Sequence, residues 1–159
     1  MIKKPKKYTF EEALDRMQFL CSKAEHCEYE IREKLFKLKI DSADIEKIIE
    51  ILKQQRYVDN RRYVSAFVND KIKFDRWGPR KVAQALFLKK IDAETIREVL
   101  EEIPDPLIEE NLKHLISARC RDVSELTREG KLKLLRFAIN RGYDYAMSVK
   151  VIKEIAGNV

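Results

Sequence analysis

Glycine and proline are scarce, with four of each in 159 residues. A fold of tightly turned sheets is therefore disfavoured, and helices held by packing are favoured. Cysteine is also sparse: Cys21, Cys27 and Cys120 form an odd set without CxxC spacing. Neither a disulfide framework nor a zinc knuckle follows, and free thiols in a reducing compartment are expected. The two histidines, His26 and His114, lack partners at recognisable metal-ligand spacing apart from neighbouring Cys27 and Glu30. No glycine-rich loop could cradle a nucleotide phosphate, and the acids are accounted for by helix caps and surface pairs. No catalytic residue, metal or cofactor is expected. Nor does any apolar run approach the ~20 residues of a membrane-spanning helix. The Lys-rich start leads into Glu11, Glu12 and Asp15 instead of an apolar signal core. A cytoplasmic chain that makes no use of a membrane is the expectation.

What is present is charge and apolar surface. Hydrophobic residues make up 45% and charged residues 38% of the chain, enough for a packed core, and the formal net charge of +6 is spread evenly along it. Such a balance permits contact with nucleic acid or with an acidic protein surface without choosing between them.

The chain repeats itself. Residues 31–52 realign on 82–103 at an offset of 51, so that Leu35, Phe36, Lys39, Ile40, Asp41, Ile45 and Glu50 recur as Leu86, Phe87, Lys90, Ile91, Asp92, Ile96 and Glu101. A further shift of 52 carries Asp92 to Asp144, Val99 to Val151 and Ile103 to Ile155, a weaker third copy. The spacing within each copy is helical. Thr9 and Glu12 form a capping box opening a helix to about Ala24, with Ala13, Leu14, Met17 and Leu20 inward. A second helix covers about Glu28–Leu38, and Asp41 caps a third to about Gln54. The second unit has helices from about Asn60 to Lys73, from Gly78-Pro79, and from the Asp92 cap to Ile103. In the third unit Asp105-Pro106 opens the first helix, Gly142 closes the middle one and Asp144 caps the last. Gly142 suits a left-handed helix end, whereas Lys39 and Lys90 would be strained there by about 1 kcal/mol. The predicted fold is all-α: a basic arm over 1–8, then three tandem three-helix repeats over 9–56, 57–103 and 104–159, forming an elongated, curved array.

The strongest local feature is the window 71–90, where Lys71, Lys73, Arg76, Arg80, Lys81, Lys89 and Lys90 face the single acid Asp75. With Phe74 and Trp77 it reads either as an anionic docking surface with aromatic anchors or as solvated helix ends with Trp77 packed between units. Lys3, Lys4, Lys6 and Lys7 are either phosphate contacts or a solubilising terminus. Arg61, Arg62, Arg119, Arg121 and Arg128 are further candidates for a partner-facing surface.

The stretch Tyr57-Val58-Asp59-Asn60-Arg61-Arg62-Tyr63-Val64, then Trp77-Gly78-Pro79-Arg80-Lys81-Val82 and the segment ending at Ile91, resembles the central signature of the RecX family. The resemblance extends over nearly the whole chain, from Ala13-Leu14 to Arg141-Gly142-Tyr143, although the family usually carries Gly at the positions of Lys39 and Lys90. It implies three three-helix repeats and a monomeric, non-enzymatic regulator. Such a protein lies in the groove of the RecA filament on single-stranded DNA and inhibits its ATPase, strand exchange and growth. The partner-binding set is then Arg61, Arg62, Lys71, Lys73, Arg76, Trp77, Arg80, Lys81, Lys89 and Lys90. The alternative is a helical repeat protein that binds single- or double-stranded DNA directly, with no obligatory RecA partner. A third reading is a helical adaptor unrelated to recombination.

Overall fold

The computed structural model describes residues 4, 6–120 and 127–157; Lys3 and Arg121 lie outside them. The described residues are helical throughout, with no strand. The helices are α1 (Phe10–Lys23), α2 (Glu28–Lys37), α3 (Ser42–Gln54), α4 (Asn60–Asn69), α5 (Pro79–Leu88), α6 (Ala93–Glu101), α7 (Asp105–Cys120), α8 (Arg128–Asn140) and α9 (Tyr145–Ala156). A π-helical turn, Asp70–Phe74, continues α4. None of the described helices is long and apolar enough to cross a membrane. The chain divides into two compact units, Met1–Ala66 and Phe67–Val159.

The first unit packs α1 and α2 onto α3 around Ala13, Met17, Ile31, Leu35, Ile48 and Leu52, with Leu14 and Leu20 half-buried against them. Each buried Leu or Ile contributes roughly 1.5–3 kcal/mol. The capping box forms as its spacing requires: the Glu12 amide donates to Thr9 Oγ1 at 3.1 Å and the Thr9 amide to Glu12 Oε2 at 3.1 Å. Helix α2 is capped differently. The Cys27 side chain, at its N-cap position, makes no capping bond. Instead Asn60, at the start of α4, accepts the Glu28 amide at 3.0 Å. In α4 itself Asp59 receives the Arg62 amide at 3.0 Å.

The second unit has a core of Ile108, Leu112, Ile116, Leu134, Ala138, Tyr143, Val151 and Ile152 between α7, α8 and α9. Val82 and Leu86 of α5 are buried, as are Ile96 and Val99 of α6. Asp92 and Asp144 cap their helices by accepting the Thr95 and Met147 amides at 2.9 and 2.8 Å. The expected cap at Asp41 is only positional, because its side chain makes no capping bond.

Helix ends recur with the repeat. Lys39, Lys90 and Gly142 have φ of 58°, 56° and 96°, as their aligned positions predict. Arg56 and Arg76, at 59° and 51°, are left-handed too, which the repeat alignment does not reveal. After Lys39, Arg56 and Gly142 the following amide reaches back five residues, Ile40 to Leu35, Tyr57 to Leu52 and Tyr143 to Ala138, the closing bond of a Schellman cap. After Arg76 the reach is six, from the Trp77 amide to the Lys71 carbonyl at 2.8 Å. The π-helical turn supplies the additional residue.

Candidate docking surface

Trp77 owes its position to two glycines. Gly78 is buried against Gly142, and a Cβ on Gly78 would fall 2.2 Å from the Gly142 carbonyl carbon. A Cβ on Gly142 would fall 2.4 Å from the Lys81 backbone nitrogen. That approach allows the Gly78 amide to donate to the Arg141 carbonyl at 2.7 Å and the Arg80 amide to the Gly142 carbonyl at 3.0 Å. The Tyr143 hydroxyl donates to the Arg76 carbonyl at 2.9 Å, and the Arg141 guanidinium to the Asp75 and Arg76 carbonyls. Burial pushes the Tyr143 phenol up to about 12, so it remains a donor at neutral pH. Asn111, buried in α7, donates from Nδ2 to the Ile72 carbonyl at 2.9 Å and holds the π-helical turn. Trp77-Gly78-Pro79 and Arg141-Gly142-Tyr143, 64 residues apart, are thus two halves of one joint.

The joint holds a half-buried indole among cations. Lys81 Nζ lies 4.2 Å and Lys71 Nζ 4.8 Å from the Trp77 ring centroid, within the range of cation–π attraction. Lys71 also pairs with Asp75 at 2.7 Å. Beside them Phe74 is 78% exposed, a large apolar surface left in water. Lys73, Arg76 and Arg80 are exposed on the same turn and the helix start that follows. The Trp77 backbone is thus part of the joint, while its ring remains partly accessible between the two lysines.

The rest of the candidate set is dispersed. Lys89 and Lys90 follow the far end of α5, about 15 Å from its start at 1.5 Å per residue, so the window 71–90 is not one patch. Arg61 and Arg62 belong to the first unit. Arg62 is engaged within it, with Nε 2.6 Å from Glu25 Oε1 and a terminal nitrogen 2.9 Å from the Arg56 carbonyl, and the Glu25 bond raises its pKa further. Arg119 stacks over Phe137 at 3.7 Å and Arg128 opens α8. Lys6 pairs with Glu12 at 3.7 Å and lies over the Tyr8 ring. His26 faces Glu30 at 2.9 Å, and Tyr63 donates to the same carboxylate at 3.0 Å. Among the described residues no group of three or more His, Cys, Asp or Glu could hold a metal ion. Sequence reasoning missed Asn111 and the hydroxyl of Tyr143. A signal for Asn111 existed: it is a polar residue on the apolar stripe Ile108, Leu112, Ile116 of α7.

Fold and surface together define a tandem three-helix repeat protein with a cation-bearing aromatic face. Residues 59–100 match the family described as RecX, second three-helix domain. The regulatory protein RecX of Finegoldia magna is 30% identical over 152 residues, covering 93% of this chain and 72% of that protein. The chain belongs to the RecX family. It is also similar to the regulatory proteins RecX of Oceanobacillus iheyensis, at 26% identity over 80% of this chain, and Clostridium botulinum, at 30% over 80%. The chain spans only 47% and 60% of the length of these last two. The crystal structure of RecX from Lactobacillus salivarius superimposes with a TM-score of 0.79 over 92% of this chain and 96% of that one, at 21% identity. A second, titled crystal structure of regulatory protein RecX, gives 0.80 over 91% and 71%, at 24%. These likenesses show the three-helix repeat fold.

Proposed function

We propose that this chain is a cytoplasmic, monomeric, non-enzymatic regulator that binds the RecA filament on single-stranded DNA and inhibits its ATPase, strand exchange and growth. The observation that carries the reading is the joint-held Trp77 with Lys71 and Lys81 over its ring and Phe74 exposed beside it. An aromatic anchor beside cations is a common composition of interface hot spots. Mounting it on backbone hydrogen bonds lowers the ordering cost of binding. Membership of a family whose curated members are named regulatory proteins supports the same conclusion.

The test is RecA's steady-state ATPase on single-stranded DNA, titrated with this protein at fixed, near-physiological salt. Inhibition well below one protein per RecA is expected, and charge reversal at Arg76, Arg80 and Lys81 should abolish it while the helical signal persists. Unchanged inhibition by the folded variant would remove this surface from the interaction. No effect of the unaltered protein on confirmed filaments would sink the recombinase reading.

Direct binding to single-stranded DNA is favoured by one observation, the adjacency of Trp77 and Phe74 as stacking platforms among lysines. It predicts affinity for bare DNA falling roughly 0.7 log units per log unit of salt for each phosphate neutralised.

A further inference from the structure

The π-helical turn before Trp77 departs from the register of the helix it continues, and such departures are rare and concentrated at functional sites. Its bonds show what the departure achieves. In an α-helical register the Asp75 and Arg76 amides would donate to the Lys71 and Ile72 carbonyls, four residues back. The Asp75 amide instead reaches the Asp70 carbonyl at 3.2 Å, and the Lys71 carbonyl receives the Trp77 amide at 2.8 Å. The Ile72 carbonyl receives Nδ2 of Asn111, from α7, at 2.9 Å. One side chain 39 residues away thus occupies an acceptor that an α-helical turn would use for itself.

The consequence falls on Trp77. With its amide on the Lys71 carbonyl, its ring centroid lies 4.8 Å from Lys71 Nζ, which is also 5.7 Å from the centroid of Phe67. Were the turn to relax to the α register, the Asp75 amide would claim the Lys71 carbonyl. The Trp77 amide would lose that partner, and with it the tether that sets the ring against the lysine. Arg141 and Tyr143 bond the Asp75 and Arg76 carbonyls, which follow the turn, whereas Asn111 bonds a carbonyl inside it.

Asn111 is buried beside Ile108, Leu112 and Ile116 on the apolar stripe of α7. Burying an amide there has a desolvation cost that leucine would not have. Buried polar side chains are retained where they fix a register, as a single asparagine does in a coiled coil. We infer that Asn111 is a positioning residue of the docking surface: by bonding the Ile72 carbonyl it selects the π register, sets Lys71 over the Trp77 ring, and so tunes how tightly that surface holds its partner. The inference rests on the RecA reading above and names a residue of α7 that acts on that same site through the turn.

The test uses variants of the full chain. Asn111→Leu keeps the branched outline and removes the donor. Asn111→Ala, which adds no atoms to the core, replaces it if circular dichroism shows that the leucine variant does not fold. Lys71→Met removes the cation and keeps the apolar stem. Iodide quenching of Trp77, the only tryptophan, is compared with acrylamide quenching. Iodide is drawn to the cations over the ring and acrylamide is neutral, so their ratio reads the lysine placement, which a general loss of stability does not move in the folded state. Affinity for RecA filaments on labelled single-stranded DNA is measured by fluorescence anisotropy. The folded Asn111 variant and Lys71→Met should each lower the iodide-to-acrylamide ratio, the double variant should lower it no further, and filament affinity should fall roughly fivefold in each. An unchanged ratio in the folded Asn111 variant, or a further fall in the double variant, overturns the register role. A lowered ratio without loss of affinity, or lost affinity without a lowered ratio, overturns the link to docking and leaves the recombinase reading standing. If the unaltered protein binds no filament, the recombinase reading fails and takes the docking role with it, while the quenching ratio still decides the register.

Discussion

Replacing Gly78 by alanine isolates the joint, because nothing else opposes the change. Gly78 has φ −76°, so alanine meets no backbone strain there. Restricting the unfolded chain would by itself stabilise the protein by about 0.4–1 kcal/mol. The opposing term is steric: the new Cβ would be 2.2 Å from the Gly142 carbonyl carbon and 2.4 Å from the Tyr143 nitrogen, backbone atoms that no rotamer change can move. Relief requires the two segments of the joint to separate, breaking the Gly78–Arg141 and Arg80–Gly142 bonds. Overpacking at roughly 1–3 kcal/mol and two hydrogen bonds at about 1 kcal/mol each, less the unfolded-state gain, leave a net loss of roughly 2–4 kcal/mol. The assay is urea unfolding followed by tryptophan emission, since Trp77 is the only tryptophan and adjoins the substitution. A lower midpoint with a red-shifted native emission is expected. An unchanged or raised midpoint would refute the close approach, because the entropic term alone has the opposite sign.

Three further outcomes follow from particular contacts. Lys39→Gly and Lys90→Gly should each stabilise by about 0.5–1 kcal/mol, as relief of left-handed strain exceeds the added unfolded-state entropy; thermal melts that fall instead would contradict it. Asn60→Ala should cost about 1 kcal/mol by uncapping α2, whereas Asn60→Asp keeps the acceptor and most of the stability; equal losses in denaturant titrations would show that the cap is not the cause. Burial raises the Tyr143 phenol to about 12 in the folded chain, above its ordinary ~10. The neutral phenol's contribution is therefore complete below pH ~10 and is lost as pH rises through 12. Melting temperatures between pH 8 and 12 should fall less steeply for Tyr143→Phe than for the unaltered chain, and parallel slopes would rule Tyr143 out as a source.

Much of this architecture is legible in the amino-acid order, because it depends on local periodicity. The Thr9–Glu12 box and the aspartate caps at Asp92 and Asp144 follow from neighbours within one helical turn, and realignment at 51 residues exposes the repeat and its helix ends at Lys39, Lys90 and Gly142. The RecX resemblance rests on motifs of the same kind. The basic window is legible as composition but not as a surface, since α5 carries Lys89 and Lys90 about 15 Å from its start.

Only the tertiary structure decides what depends on residues far apart in the chain. It pairs Gly78 with Gly142 and lends Asn60 to the amide of Glu28. It uses Arg62 on Glu25 and holds the π-helical turn with Asn111. The physical reason is that helix formation is governed by contacts three and four residues apart. Which cation becomes structural also depends on partners that only folding brings close, as Glu25 is brought to Arg62 from 37 residues away.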